Sequence, residues 1–268
     1  MSRTNVLLVL ILCLILGVNA GLAQRLFVTA NAGYSLGSGT ANLGSNTKSI
    51  GTIQTYDGVY GTYGEGSKFG GSAGYMFSDY LGAELGLSYW LGKTFEVSYS
   101  YEYGSVDRVG EKTTGSGFVA VPSILLSANM KTINPYARLG VVLGLLRVKR
   151  ESTYTLSPGG TYETTEEETG NLAFGFAGAL GIAIPKEGAV EVFAELSLQS
   201  LSYAPSQSEV TKYTVNGEDR LASLQYKVTE YKESFTRDTS APLPSNIGQA
   251  VRRPFSSVGI VVGARINL

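Results

Sequence analysis

The chain has 268 residues, of which 34 are glycine and 17 tyrosine, with 16% charged and a formal charge of −1. That balance excludes the basic excess carried by nucleic-acid binders. The complete absence of histidine removes the commonest catalytic base and the commonest zinc ligand together.

Taken from the N-terminus, Arg3 precedes an apolar run from Val6 to Val18, followed by Gly21-Leu22-Ala23. A basic start, a short apolar core and small residues before the cut predict a secretory signal peptide over 1–23, cleaved after Ala23. The run is too short for a membrane anchor, which needs about 20 apolar residues. Cys13, the one cysteine, falls inside it, so the mature chain 24–268 has neither disulfide nor thiol chemistry.

The mature chain then repeats a period of two, the mark of strands whose side chains point alternately to opposite faces. Leu26, Val28, Ala30, Ala32, Tyr34 and Leu36 share one face, and Thr29, Asn31, Gly33 and Ser35 the other. Similar stretches follow at 68–78, 81–91, 118–128, 137–145, 172–183, 190–199 and 257–268. At 118–128 two phases compete, and Phe118, Ile124 and Leu126 are taken as the outer set because the other shares its side with Ser123 and Ser127. The connections sort by parity. Those around Asp79, around Lys131 and over Pro185–Ala189 are short, whereas 37–66, 93–116, 148–170 and 202–253 are long and polar.

This pattern predicts an all-β fold: a closed antiparallel transmembrane β-barrel of about eight strands (ten being the alternative count), with short periplasmic turns and long external loops. Closure is expected because an unpaired backbone group in hydrocarbon costs several kcal/mol. Tyr34, Phe69, Phe77, Tyr80, Tyr89, Tyr203 and Phe255 fall near strand ends, where interfacial girdles sit. The opposite face is mainly glycine, alanine and serine. It is too small and polar for a sandwich core and suits a cramped, hydrated lumen.

With Phe77-Ser78-Asp79-Tyr80-Leu81-Gly82-Ala83-Glu84 at a tight turn, Pro135-Tyr136-Ala137-Arg138-Leu139-Gly140 opening a strand, and an alternating C-terminal strand, the chain resembles the small outer-membrane β-barrel family, which includes the OmpA membrane domain and the OmpX-like and OmpW-like barrels. The resemblance implies a monomer in the outer membrane of a Gram-negative-type bacterium. It would contact outer-membrane lipid and lipopolysaccharide and be inserted by the barrel-assembly machinery, which reads the last strand. In the family that strand usually ends in phenylalanine; here it ends in Leu268. Enzymatic members generally use a histidine-activated nucleophile or water, which this chain cannot supply, so no enzyme, cofactor or metal is expected.

Gly86 to Thr94 has five residues between its glycines where a phosphate loop needs four, and no helix follows. Glu163 to Glu168 reads as a solvated acidic loop rather than a cation site. Asn216-Gly217 predicts a hairpin turn and, with it, a two-stranded flap. Glu84, Arg138, Glu191, Glu195 and Arg265 fall on the inward phase near the periplasmic end, where unpaired charges would be costly, and so predict an ion-pair network. The expected function is non-enzymatic, with tyrosine-rich surface loops (99–103, 226–231) contacting an unknown external ligand or stabilising the envelope. A narrow channel or porin for small solutes is the alternative, and an outer-membrane enzyme a weaker one.

Overall fold

The period-two segments are strands, and they run on well past the points where the sequence predicts loops. The computed structural model describes residues 26–39, 41–50, 52–101, 106–156, 159–185, 189–234 and 246–268. The expected signal peptide and part of the Pro185–Ala189 turn lie outside the described residues. In chain order the strands are β1 (Leu26–Gly37), β2 (Ala41–Ile50), β3 (Ile53–Gly61), β4 (Gly66–Met76), β5 (Leu81–Tyr101), β6 (Val106–Ser127), β7 (Asn134–Leu156) and β8 (Gly160–Thr169). They continue as β9 (Ala173–Pro185), β10 (Val190–Tyr203), β11 (Gln207–Val215), β12 (Glu218–Asp219), β13 (Val228–Lys232), β14 (Ile247–Gln249), β15 (Arg253–Pro254) and β16 (Ser257–Asn267).

Eight of these pair in a cycle. β1 pairs with β4, then β4 with β5, β5 with β6, β6 with β7, β7 with β9, β9 with β10 and β10 with β16. β16 pairs back onto β1, from Phe27 opposite Asn267 to Gly37 opposite Ser257. Every one of these contacts is antiparallel, so each of the eight strands has a neighbour on both edges.

The other eight segments lie in the connections that the sequence assigns to loops. β5 and β6 stay paired out to Tyr99 opposite Val109, past a register shift between Leu91 and Thr94. β7 runs on with β8 folded back along it, β11 adds to β8, and β13 to β11. On the other side β2 lies parallel to β5, with β3 beside it. The expected irregular loops are thus largely β-ribbon. A backbone leaving a ladder satisfies its polar groups most simply by continuing it, and the threonine, valine and tyrosine of these segments favour strands. The turn at Asn216-Gly217 is present, with φ of 52° and 82°, but β12 is two residues long. β11 pairs chiefly with β8, which replaces the expected two-stranded flap.

The two faces of the eight-strand cycle differ sharply. Outward, Leu85, Leu87, Leu139, Leu145, Phe174, Leu180, Leu196 and Ile260 are exposed; inward, Trp90, Val119, Leu125 and Val142 are buried. On β6 the outer set is Phe118, Ile124 and Leu126. The interior is not uniformly small and polar as the sequence suggests. One apolar cluster, including Tyr63, Trp90, Leu146, Tyr203 and Phe255, fills the end nearest the ribbons. A second, with Phe27, Leu125, Tyr136, Phe193 and Val261, fills the opposite end. Three inward glycines are sockets for rings of this second cluster. A Cβ at Gly74 would strike the Phe27 ring, at Gly181 the Tyr136 ring, and at Gly263 the Phe193 ring. Tyr203 and Phe255, expected in the outer girdle, are fully buried, whereas Tyr34, Phe69, Phe77 and Tyr80 are exposed.

Candidate functional site

Charged side chains occupy the interior between the two apolar clusters. Arg138 on β7 reaches across to β5 and β10. Its Nη1 lies 2.6 Å from Glu84 Oε1 and its Nη2 lies 2.5 Å from Glu195 Oε1. The Tyr136 hydroxyl donates to Glu195 Oε2 at 3.0 Å. Both carboxylates are almost sealed from solvent, at 3% and 2% side-chain exposure, so the guanidinium and phenol take the place of their hydration.

The other two predicted residues form a separate pair: Arg265 Nη1 lies 3.3 Å from Glu191 Oε2. Among the described residues no ion pair joins this pair to the Arg138 group. Tyr136 lies between them, bonded to Glu195 and 5.5 Å from the Arg265 guanidinium, which also stacks 4.5 Å from the Phe27 ring.

Lys68 on β4 is the member that sequence reasoning missed. It lies on the inward phase, but alternation does not report height along the barrel or reach across it. Its Nζ donates to Gln199 Oε1 at 3.0 Å and to Ser257 Oγ at 3.4 Å, and sits 4.1 Å above the Trp90 ring. Lys68, Arg138 and Arg265 share the described interior with Glu84, Glu191 and Glu195, three basic and three acidic side chains. A cavity of about 70 Å³ beside them is lined by Asn31, Ser72, Lys68, Arg138, Glu195 and Gln199. At about 30 Å³ per water it has room for a couple of water molecules.

A second ionic cluster lies among the ribbons. Glu168 on β8 is fully buried and held by Arg253, whose Nε is 2.7 Å from Oε2 and Nη2 2.5 Å from Oε1. Arg150 Nη2 approaches Glu168 Oε1 at 3.3 Å, its Nη1 lies 3.3 Å from Glu166 and its Nε 3.1 Å from Glu111. Burial opposes the charge on Arg150, but Glu168, Glu111 and Glu166 more than offset it, leaving its affinity for the proton above the ordinary value. The acidic stretch is therefore only partly the solvated loop expected. Alternation along β8 turns Glu166 and Glu168 inward and leaves Glu163 outside. There the Lys212 ammonium, 2.8 Å away, holds the Glu163 carboxyl below its usual range.

No protein-family model matches the chain, and no curated protein does. Among solved structures the chain is similar to Neisserial surface protein A (NspA), with 13% identity and a TM-score of 0.35 over 91% of this chain and 97% of that one. It is also similar to Ail, the attachment invasion locus protein of Yersinia pestis, with 11% identity and a TM-score of 0.30 over 90% and 99%. These neighbours are small outer-membrane β-barrel proteins of the Ail/OmpX family. Neither likeness assigns a ligand or an activity to this chain.

Proposed function

We infer that the chain is a non-enzymatic outer-membrane β-barrel that crosses the bilayer with its eight-strand cycle and offers its β-ribbons as an external contact surface. One observation carries this reading: a cycle of strands with both edges paired turns leucine, isoleucine and phenylalanine outward. Leaving one such side chain in water rather than burying it forgoes about 1.5–3 kcal/mol, and the outward face repeats that exposure strand after strand. In hydrocarbon the same arrangement is the stable one, because every edge is paired and the apolar face meets lipid. The export signal read over 1–23 supports the same compartment, and the ribbons stand at the end away from the short turns.

The filled interior favours this reading over a channel. Two aromatic clusters, two arginines ion-paired with three carboxylates, and Lys68 bonded to Gln199 and Ser257 crowd the described interior around a cavity of about 70 Å³. The absence of histidine argues against acyl-transfer or hydrolytic chemistry of the usual kind.

Two measurements test the reading. The full chain, expressed in a Gram-negative host, should fractionate with the outer membrane and expose residues 207–234 to protease on intact cells. Recovery in the soluble periplasm would overturn it. In planar bilayers the purified protein should give no stepwise conductance, and discrete steps would favour the narrow channel instead.

A further inference from the structure

On the ribbons, two neighbouring rows of side chains share the outward face. Glu96, Lys112, Glu151, Thr165 and Lys212 stand opposite one another on β5, β6, β7, β8 and β11. Two residues along the strands, Ser98, Gly110, Thr153 and Glu163 form the second row. Both rows line a trough of about 640 Å³ that runs across the strands, with Asn46 of β2 at one end and Lys212 at the other. Its floor is the backbone of the row between, whose Val97 and Ser152 are buried on the opposite face. From strand spacing and rise the trough is about 19 Å long and about 7 Å between its rows.

Gly110, midway along the floor, has no local reason to be glycine. It is not among the positive-φ residues, and a Cβ added there would meet nothing within 4 Å. The inward glycines are filled by rings, whereas this one faces open space. Glycine weakens a strand interior and often marks where another molecule approaches the backbone closely.

The charges on the walls are already matched. Lys112 lies 2.8 Å from Glu96 Oε1, Lys149 2.8 Å from Glu151 Oε1, and Lys212 2.8 Å from Glu163 Oε2. A charged occupant therefore meets three cations paired with three carboxylates and gains no net attraction. An apolar occupant finds no large apolar side chain, since Val97 points to the other face. What the walls do offer is hydrogen bonding: each pair engages one carboxylate oxygen and leaves the second to accept, and each ammonium carries three donors. A hydroxyl group both donates and accepts, so it bridges such a pair without breaking it.

We propose that this trough binds a neutral oligosaccharide presented from outside the cell, laid across the strands over Gly110. The site rests on the reading of the ribbons as an external contact surface and names the class of ligand they take. Position selects the source. Glu151 stands six residues past Leu145, the last exposed leucine of β7, which is about 20 Å farther along the strand. That distance places the trough away from the lipid wall and open to chains arriving from outside.

The test applies the full chain, folded in neutral detergent micelles, to an array of immobilised neutral, sialylated and sulfated oligosaccharides. Clustered display raises a weak single contact to a measurable one. Wild type should bind its preferred neutral members at least about tenfold more tightly than the charged ones. In G110V a side chain grows into open space, so the fold should hold while binding falls at least about tenfold. T153Y, which fills the trough from β7, should do the same, and E163Q, an exposed change of equal shape, should weaken binding. Unfolding midpoints are read alongside, and a variant counts only if it keeps that of wild type, which the exposed E163Q is chosen to do. Wild-type binding in such variants, a preference for charged members, or no binding to any neutral member would overturn the site. Protease exposure of 207–234 on intact cells is scored separately. An inert array with that segment exposed would sink the trough alone, whereas a shielded segment would count against the external reading on which it rests.

Discussion

Replacing Arg138 with alanine strands two carboxylates that the fold has removed from water, because Glu84 and Glu195 both rely on that guanidinium. An uncompensated buried charge of this kind costs about 3–5 kcal/mol, less to the extent that the neighbouring cavity admits water. Unfolding of R138A from lipid vesicles should lose about that much, and the triple variant R138A/E84A/E195A should recover most of it. Absence of recovery would mean that the three side chains do not act as a unit. On the outer face the test is Leu87, exposed on β5. Leu87→Arg at the bilayer midplane should cost about 2–4 kcal/mol, while Ser88→Thr on the inward side should be mild; equal small effects would reverse the assigned faces. The inward phase of all five charged residues was legible because alternation fixes which face a side chain takes. Their partners were not, because height and reach across a barrel depend on strand tilt and stagger, which is why Lys68 and Tyr136 went unseen and Arg265–Glu191 stands apart.

Segments outside the eight-strand cycle show where polarity misleads. β8 is Gly-Thr-Tyr-Glu-Thr-Thr-Glu-Glu-Glu-Thr, a composition that reads as solvated loop, yet it is held on one side by β7 and on the other by β11. Its pattern has the period of a strand with threonine and glutamate where an apolar residue would advertise it, so neither hydropathy nor turn residues mark its ends. The return segment to β16 was equally opaque. Phe255 follows Pro254 in a polar stretch, and only the folded chain shows it inside, against Tyr63, Trp90 and Tyr203 at ring separations of 5.8, 6.2 and 6.1 Å. Arg253 fastens that segment to Glu168. Arg253→Ala should therefore release it at a cost of about 1–3 kcal/mol, the penalty of a lost partner on a buried polar group, with Arg150 retaining part of the charge balance. Hydrogen exchange should rise at residues 253–256 while β1 and β16 stay protected. Unchanged exchange at 253–256 would show that ring packing alone holds the segment.

At the scale of the whole molecule, the eight-strand cycle and the ribbons divide the work in a way that one deletion can separate. Among the described residues of 207–247 none takes part in the cycle's pairings: those strands pair among themselves and with β8. Trimming 207–247 to a short turn leaves Tyr203, Arg253 and Phe255, and so leaves the apolar cluster at the ribbon end. On the proposed membrane-crossing reading, it strips the outer cover from β8, whose freed edge would be solvated outside the hydrocarbon, where open ladder groups bond to water. The trimmed chain should still insert, because its eight-strand cycle and interior are intact. Long segments carried on a rigid scaffold are where recognition concentrates, and within 207–247 Tyr226 is exposed, a residue type favoured at contact surfaces. Partner capture by cells carrying the trimmed form should therefore be lost, or its phenotype abolished, at unchanged surface abundance. Full retention of binding would move the contact surface to the β2–β3 hairpin and the β5–β6 ribbon. Failure to insert would make 207–247 part of the folding unit, which the separation of pairings says it is not.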